Sequence, residues 1–242
     1  MENSAGYLIP HLRSGISLLD VGCGPGTITA DLAGRVAPGR VIGIDRESAV
    51  IEKAAGPEAP GNLEFVTGDA YALPFADESF DVVHAHQVLQ HLTDPVAALA
   101  EMRRVLRTGG LLAVRDGDYG AFVWAPQDPR LDRWMELYHD VCHRNGAEPD
   151  AGRHLLGWVR SAGFTETKVS SSTWTFAEEE ERIWWGELWA ERVTQSSLAE
   201  QALEYGLSTA DELEEIARAW RGWASAEDGV FILLHGEVLA WR

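Results

Sequence analysis

The stretch that decides the fold is LLDVGCGPGT, residues 18–27. Its first four residues are apolar apart from Asp20, and glycines follow at Gly22, Gly24 and Gly26. Helical spacing of apolar residues then begins, so the pattern predicts a strand, a tight turn and a helix. Glycines in such a turn let backbone amides approach a ligand closely, and the helix N-terminus adds partial positive charge. The turn is therefore a candidate cofactor-binding loop.

Strands and helices alternate from this stretch to residue 116. Four further apolar runs predict strands: VIGID at 41–45, LEFVTGDA at 63–70, FDVVHAHQVL at 80–89 and LLAVRD at 111–116. Helical patterns follow the glycine turn, cover residues 48–55, and run from Pro95 at a first turn to glycines at 109–110. This alternation is typical of a parallel sheet with right-handed crossovers, so the predicted fold class is α/β.

The regularity changes after residue 116. Residues 118–150 read as an aromatic-rich loop and helix, and residues 151–163 as an amphipathic helix. Residues 165–176 and 230–241 are predicted to be strands, but the 53 residues between them, 177–229, contain three helical patterns. We therefore expect a helical insert between the last two strands.

Charge and composition exclude several classes of protein. The 242 residues include 38 acidic and 20 basic side chains, a net charge of −18, which would repel nucleic acid and anionic membranes. No apolar run reaches the roughly 18 to 20 residues that span a bilayer, and the first residues lack the pattern of a signal peptide. Two cysteines are too few for a disulfide framework. We expect a cytoplasmic protein without a nucleic-acid or membrane partner.

Acidic residues around the glycine loop indicate what it holds. Asp20 lies two residues before Gly22, where its carboxylate could reach an ammonium group. The glycine spacing is G-x-G-x-G rather than the G-x-G-x-x-G that suits a dinucleotide pyrophosphate. Asp45 ends the next strand, 19 residues after Gly26, and is placed to accept hydrogen bonds from ribose hydroxyls. These features favour a cofactor that carries ribose hydroxyls near Asp45 and could present an ammonium group near Asp20.

Taken in order, LLDVGCGPGT, VIGID, GDAYALPF, FDVVHAHQVLQHL and LRTGGLLAV resemble the class I S-adenosylmethionine-dependent methyltransferases over residues 17–116. The resemblance is to the small-molecule group of methyltransferase type 11, which includes the ubiquinone and menaquinone methyltransferases. It implies a Rossmann-like sheet of seven strands in the order 3-2-1-4-5-7-6, with the last strand antiparallel and helices on its faces. It also implies S-adenosylmethionine as the cofactor and S-adenosylhomocysteine as the product.

The same resemblance assigns cofactor contacts residue by residue. The glycine loop would line the amino acid moiety with support from Asp20, Asp45 would hold the ribose and Asp69 the adenine amino group, and His86 and Gln87 would border the methionine portion. The full implied set is Asp20, Gly22, Cys23, Gly24, Gly26, Asp45, Arg46, Asp69, Ala70, His86 and Gln87.

A sulfonium needs little help from the protein, because displacement requires only an acceptor lone pair in line with the C–S bond. A general base matters where the acceptor is a hydroxyl, a protonated amine or a carbon acid, and histidine suits that task. His91 and His235 are the candidates. Two sets of residues could suggest a metal instead: His84, His86 and His91, and His139, Cys142 and His143. Neither set has the spacing of a zinc site, so we expect no metal.

Seven of the ten tryptophans fall in segments 118–150 and 177–229. They could simply pack the insert against the core, or they could form an apolar acceptor pocket. We interpret the two segments as a substrate-side cap on a single methyltransferase domain, residues 1–242, with an apolar or aromatic small-molecule acceptor. The candidate acceptor contacts are Arg115, Asp116, Asp118, Tyr119, Trp124, Trp185 and Trp189.

Two alternative functions stay open at this point. An NAD(P)-dependent Rossmann oxidoreductase shares the strand, glycine turn and acidic residue, but it leaves GDAYALPF unexplained. A non-catalytic S-adenosylmethionine-binding protein is the other. The acceptor atom could be O, N, S or C, and the oligomeric state is open. Related enzymes carry a longer segment before the glycine motif than the 17 residues here, so either the chain is trimmed or the insert replaces that segment.

Overall fold

The computed structural model describes residues 2–54 and 60–242. The chain divides into two compact units. Of the described residues, the first unit comprises 2–54, 60–117, 151–172 and 235–242, and the second comprises 118–150 and 173–234.

Helices and strands follow one another in the order that the sequence predicts, with two short additional elements at residues 2–5 and 123–125. They are α1 Glu2–Ala5, β1 Leu18–Val21, α2 Thr27–Val36, β2 Val41–Asp45, α3 Ser48–Ala54, β3 Leu63–Thr67, β4 Phe80–His86, α4 Pro95–Val105, β5 Leu106–Gly117, β6 Val123–Ala125, α5 Pro129–Arg144, α6 Ala151–Ser161, β7 Glu166–Phe176, α7 Glu179–Gln195, α8 Ser197–Glu204, α9 Ala210–Ala224 and β8 Val230–Trp241. Short 3₁₀ turns lie at Ile9–His11, Leu89–His91 and Tyr119–Ala121. Residue 55, the predicted last residue of α3, lies outside the described residues.

The strand order agrees with the one that the resemblance implies. In the first unit β3, β2, β1, β4 and β5 lie side by side and parallel, and β8 joins β5 antiparallel, from Leu111 opposite Trp241 to Gly117 opposite His235. β7 pairs with β8. With β8 as the seventh strand of the family and β7 as the sixth, the order is 3-2-1-4-5-7-6. The α/β prediction and the antiparallel last strand are confirmed.

Several bounds differ from the sequence prediction: β3 and β4 end at Thr67 and His86, three residues before the predicted ends of their runs, and α6 ends at Ser161. The helix predicted to run to Gly110 ends at Val105, and β5 begins at Leu106 in extended conformation opposite Phe80. Strand pairing with β4 therefore overrides the helical pattern of this segment. The short strand β6, which pairs with Val230–Ile232, was not predicted, because three residues are too few to show a periodicity.

Alternate residues of each strand in the first unit pack on opposite faces of the sheet, as strand geometry requires. One face packs against α4 and α6, with Leu19, Val83 and Leu112 in its core. The other face packs against α2, with Leu18 and Val82 in its core. On this second face the parallel strands carry apolar residues first and ionisable residues toward their carboxyl ends, as in Leu18 and Asp20 on β1 and Val82 and His84 on β4.

The second unit is organised around aromatic side chains. The three helices predicted in residues 177–229 are present as α7, α8 and α9, and α5 begins after Asp128, whose carboxylate caps it by accepting the Arg130 backbone N–H. The Trp134 ring centroid lies 4.6 Å from that of Trp189 and 4.8 Å from that of Trp220, both edge to face. This cluster is the core of the unit.

Within residues 2–54 and 60–242, no helix combines the length and the apolar character needed to cross a bilayer. In the same part of the chain, no group of three or more His, Cys, Asp and Glu side chains is arranged to hold a metal ion.

Candidate functional site

A cleft of about 450 Å³ opens at the carboxyl ends of the parallel strands in the first unit. This is the edge at which open α/β sheets bind ligands. Seven residues predicted from the sequence to bind cofactor or to catalyse lie in its wall: Gly22, Asp45, Arg46, Asp69, Ala70, Gln87 and His91. Tyr71, Val88 and Leu92 also line it and were not predicted.

The glycine loop has the backbone geometry that its sequence predicts. Gly22, Gly24 and Gly26 have φ angles of 69°, 53° and 78°, a region that residues with a side chain rarely adopt. A Cβ on Gly22 would lie 2.4 Å from Cγ2 of Val88, so the loop and the opposite wall of the cleft approach at a distance that only glycine allows. Gly26 directly precedes α2, which presents the helix N-terminus to the loop.

Two predicted carboxylates are held by backbone amides. Asp45 accepts the Gly24 N–H at 3.0 Å on Oδ2 and the Glu47 N–H at 3.1 Å on Oδ1, so it orders the glycine loop from the neighbouring strand. Asp69 accepts the Tyr71 N–H at 2.9 Å. Each carboxylate oxygen has a second lone pair, so both residues can still accept hydrogen bonds from a ligand in the cleft.

Asp20 is buried behind the loop rather than exposed in the cleft. Its Oδ1 lies 2.7 Å from Nδ1 of His84, and its Oδ2 accepts the hydroxyl of Thr29 at 2.6 Å. His84 is fully buried. Asp20 thus ties β1 to β4 and to α2, and its predicted contact with an ammonium group stays a prediction.

The polar end of the sheet face carries a row of ionisable side chains. By strand register, Asp20 on β1 is followed by His84 and His86 on β4, Arg115 on β5 and Glu237 on β8. Arg115 and Glu237, both buried, form an ion pair at 3.4 Å. Burial lowers the pKa of Arg115 to about 10, so this side chain remains protonated at neutral pH. Burial and the neighbouring Arg115 lower the pKa of His86 to about 2, which keeps its imidazole neutral.

Asp116, predicted as an acceptor contact, holds the turn that forms one wall of the cleft. It is fully buried, and its Oδ1 accepts the backbone N–H of Gln90 at 3.1 Å within the 3₁₀ turn Leu89–His91. Burial raises its pKa to about 7, although backbone hydrogen bonds from the turn oppose the shift. Sequence reasoning could not find this role, because no local pattern links Asp116 to a turn 26 residues away.

Gln87 stands at the junction of the cleft wall and the buried row. Its φ angle is 55°, and its backbone N–H donates to the carbonyl of Arg115 at 2.8 Å. Its side-chain amide nitrogen lies 3.1 Å from Nε2 of His235, which is fully buried on β8. His91, the other candidate base, is exposed and lines the cleft.

The remaining predicted acceptor contacts belong to the second unit. Asp118 is buried, and its backbone N–H donates to the carbonyl of Leu234. The Tyr119 ring stacks on that of Tyr138, with the ring centroids 4.2 Å apart. Trp185 and Trp189 are buried in the aromatic core, and Trp124 packs against it. Contact of these residues with an acceptor stays a prediction.

Cys23 contributes its backbone to the loop and keeps its thiol buried. Its backbone N–H donates to the Ile44 carbonyl at 3.1 Å. Burial, with Asp20 and Asp45 nearby, raises the pKa of the thiol to about 12, so it is not a nucleophile at neutral pH.

Comparison with known proteins connects this geometry to one family. Residues 12–181 match the family model described as a methyltransferase domain. An uncharacterised methyltransferase of Schizosaccharomyces pombe is 33% identical over 249 residues, covering 98% of this chain and 88% of the relative. The ubiquinone/menaquinone biosynthesis C-methyltransferase of Roseobacter denitrificans is 42% identical over 178 residues, covering 64% of this chain and 69% of the relative.

The fold has a counterpart among solved structures. The YcgJ protein of Bacillus subtilis superposes with a TM-score of 0.65 at 19% identity, covering 100% of this chain and 99% of that one. At this level of sequence identity, the similarity shows that the two proteins share a fold.

Proposed function

Because the chain belongs to the methyltransferase-domain family and is an S-adenosylmethionine-dependent methyltransferase, we propose that it transfers the methyl group to a small-molecule acceptor by in-line displacement. The observation that carries the proposal is the cleft in which the glycine loop, Asp45 and Asp69 come together. Membership of the family favours methyl transfer over the nicotinamide-dependent alternative.

The residues of the cleft fit this cofactor. Carboxylates with free lone pairs suit ribose hydroxyls at Asp45 and the adenine amino group at Asp69, with Arg46 and Ala70 beside them. The amides of the glycine loop and the N-terminus of α2 suit the carboxylate of an amino acid moiety. We assign the end of the cleft that Gly22, Gln87 and His91 line to the methionine portion.

The cofactor supplies an electrophilic methyl carbon on its sulfonium. The protein holds the acceptor in line with the C–S bond, an orientation worth roughly 7 to 11 kcal/mol in favourable cases. Where the acceptor atom bears a proton, His91 is the base that we propose, because it is exposed in the cleft wall. To take that proton, its Nε2 would exchange its 3.1 Å contact with the side-chain amide nitrogen of Gln90 for the acceptor.

For the acceptor we propose an apolar or aromatic small molecule, with segments 118–150 and 177–229 as its cap. Support comes from the position of the second segment between β7 and β8, where a short hairpin would otherwise suffice. We also propose that the protein is cytoplasmic, and its high negative charge supports our proposal that it has no nucleic-acid partner.

Two measurements test the proposed function. Calorimetry should detect binding of S-adenosylhomocysteine and none of NAD; NAD binding without a response to the homocysteine nucleoside would contradict the proposal. Transfer of a radiolabelled methyl group should then be screened over phenols, hydroquinones and aryl amines, with ethanolamine and glycine as polar comparisons. We expect turnover of an aromatic acceptor, and turnover of the polar acceptors alone would contradict the acceptor class.

A further inference from the structure

Gln87 has two structural features that contact with the methionine portion of the cofactor does not by itself require. Its φ angle of 55° is one of two positive values among the non-glycine residues of the described chain. A glutamine adopts this region at a conformational cost, and such residues cluster at functional sites. Its side chain also makes a hydrogen bond across 148 residues of sequence, to His235.

Both ends of this contact are fixed by the sheet. The backbone N–H of Gln87 donates to the carbonyl of Arg115 on β5 at 2.8 Å. His235 lies on β8 opposite Gly117, also on β5, and is fully buried. The hydrogen bond between the two side chains therefore joins a rigid position on the sheet to the wall of the cleft.

The chemistry of the pair defines its orientation. A carboxamide nitrogen carries only donors, so a bond from it to Nε2 requires a lone pair on that ring nitrogen. His235 is then neutral, with its proton on Nδ1. Because the nitrogen and oxygen of an amide diverge from the same carbon, a nitrogen held toward His235 turns the oxygen away from it.

We propose that the amide oxygen of Gln87 accepts a hydrogen bond from the reacting group of the methyl acceptor, and that His235 is the positioning residue that orients this amide. The inference rests on the proposed function and names a narrower acceptor class: a hydroxyl or an amine that still bears hydrogen at the reacting atom.

The end of the cleft supports this assignment. If Asp45 and Asp69 bind ribose and adenine, the sulfonium would lie at the end of the cleft that Gly22, Gln87 and His91 line. An oxygen there can receive the acceptor's O–H or N–H and so orient its lone pair toward the methyl carbon. The C–S bond breaks with its electron pair on sulfur and the new C–O or C–N bond forms, and the methylated acceptor then releases its proton from the hydrogen bond with the Gln87 oxygen to His91 or to water.

Sinefungin tests this contact without a known acceptor. It is the cofactor analogue in which a carbon bearing an amine replaces the methylsulfonium, so it presents a hydrogen-bond donor near the position of the methyl group. S-adenosylhomocysteine lacks that donor. The ratio of the two dissociation constants, measured by calorimetry, therefore isolates what the protein offers at this position.

We expect the wild-type protein to bind sinefungin about tenfold more tightly than S-adenosylhomocysteine, the effect of about one added hydrogen bond. Gln87→Ala and His235→Phe should each bring the ratio close to one, while His235→Gln, whose carbonyl can accept the same N–H, should restore part of it. The double variant should resemble Gln87→Ala, because His235 acts through Gln87. His154→Phe, at an exposed histidine on α6, is the matched control and should keep the wild-type ratio.

Nitrogen NMR of the wild-type protein gives a second readout that does not depend on any variant folding. The Nε2 signal of His235 should be that of an unprotonated ring nitrogen, and a protonated Nε2 would overturn the proposal. An unchanged ratio of the two dissociation constants in Gln87→Ala, or additive losses in the double variant, would overturn the proposed role of Gln87. If the wild-type protein still bound S-adenosylhomocysteine, the proposed function would stand. A wild-type protein that did not bind S-adenosylhomocysteine would overturn both.

Discussion

The two units of the chain bury different chemistry. Ten polar or charged side chains are buried in the described residues, and eight of them belong to the first unit, among them Asp20, Arg115 and Glu237. The core of the second unit consists of aromatic and aliphatic side chains, and four of its buried tryptophans make no hydrogen bond through the indole nitrogen within the described chain. Edge-to-face ring packing suits such groups, because an N–H can face a neighbouring ring.

This difference separates stability from function. Buried charges stabilise little and cost much when one partner is lost, so the pairs in the first unit serve to fix positions around the cleft. Buried aromatic rings contribute large apolar areas, so the second unit is held mainly by packing. Substitutions around the cleft of the first unit should therefore change cofactor binding, and substitutions in the aromatic core of the second should change unfolding.

The largest effect is expected in the aromatic core. Trp189→Ala removes a ring that is 1% exposed and should lower the free energy of unfolding by about 3 to 5 kcal/mol. The exposed Trp184 on the same helix is the matched control, and Trp184→Ala should stay within about 0.5 kcal/mol of wild type. Chemical denaturation measures both. Equal losses of unfolding free energy in the two variants would mean that burial of the ring does not determine its contribution to stability, which would contradict the comparison of the two units.

A pH-dependent effect is expected at Asp116. Burial raises its folded-state pKa to about 7, above the value near 4 of an unfolded chain, so the protonated form stabilises the fold at low pH and that contribution is lost as the pH rises through about 7. Asp116→Asn keeps an acceptor oxygen and carries no charge. Relative to wild type, its stability should therefore increase by about 2 to 3 kcal/mol between pH 5 and pH 8. Denaturation at the two pH values measures this, and parallel curves would refute the raised pKa.

The glycine loop should respond in ligand binding. Gly22→Ala places a Cβ 2.4 Å from Val88 at a φ angle of 69°, and the strain should weaken S-adenosylhomocysteine binding by about 1 to 3 kcal/mol. Gly34→Ala, on α2 with open space around it, is the control and should stabilise the helix by about 0.5 to 1 kcal/mol with unchanged affinity. If both variants bind normally, the close approach of the loop to Val88 does not matter for the ligand.

A smaller effect is expected at Asp45. Asp45→Ala removes the proposed ribose contact and the acceptor for the Gly24 amide, and should weaken S-adenosylhomocysteine binding by about 1 to 2 kcal/mol. Asp45→Asn keeps one acceptor oxygen and should lose less. Calorimetry gives both affinities, and a loss of fold rather than of affinity would place Asp45 among the stabilising residues instead.

The parts of the site that the sequence predicted are local in the chain. Asp45 ends β2, and Gly22 and Asp69 follow the ends of β1 and β3 within two residues. Parallel strands bring their carboxyl ends to one edge, so the pattern of strands predicted that all three lie in the cleft. The same alternation predicted the helices and strands between residues 17 and 116, except for the start of β5, and separate helical and apolar patterns predicted the later elements. The short α1 and β6 were not predicted.

The parts that it missed depend on contacts between distant segments. Two such contacts are the hydrogen bond between Gln87 and His235 and the one by which Asp116 holds the turn Leu89–His91. Both depend on strand register, which no local pattern in the sequence shows. The same holds for tryptophans: Trp184 and Trp185 are neighbours in the sequence, yet one is 57% exposed and the other 5%. Only the packing of the helices decides which ring is buried.

The thiol of Cys23 gives the glycine loop a resistance to oxidation. Peroxides and alkylating reagents attack thiolates, and a thiol with a pKa of about 12 is almost entirely protonated at neutral pH. Cys142 in the second unit, with its pKa raised by burial to about 11, shares this inertness. A cysteine introduced on the surface of each unit should therefore be labelled selectively with both native cysteines left in place. Spectroscopic distances between such labels would measure the arrangement of the two units in solution.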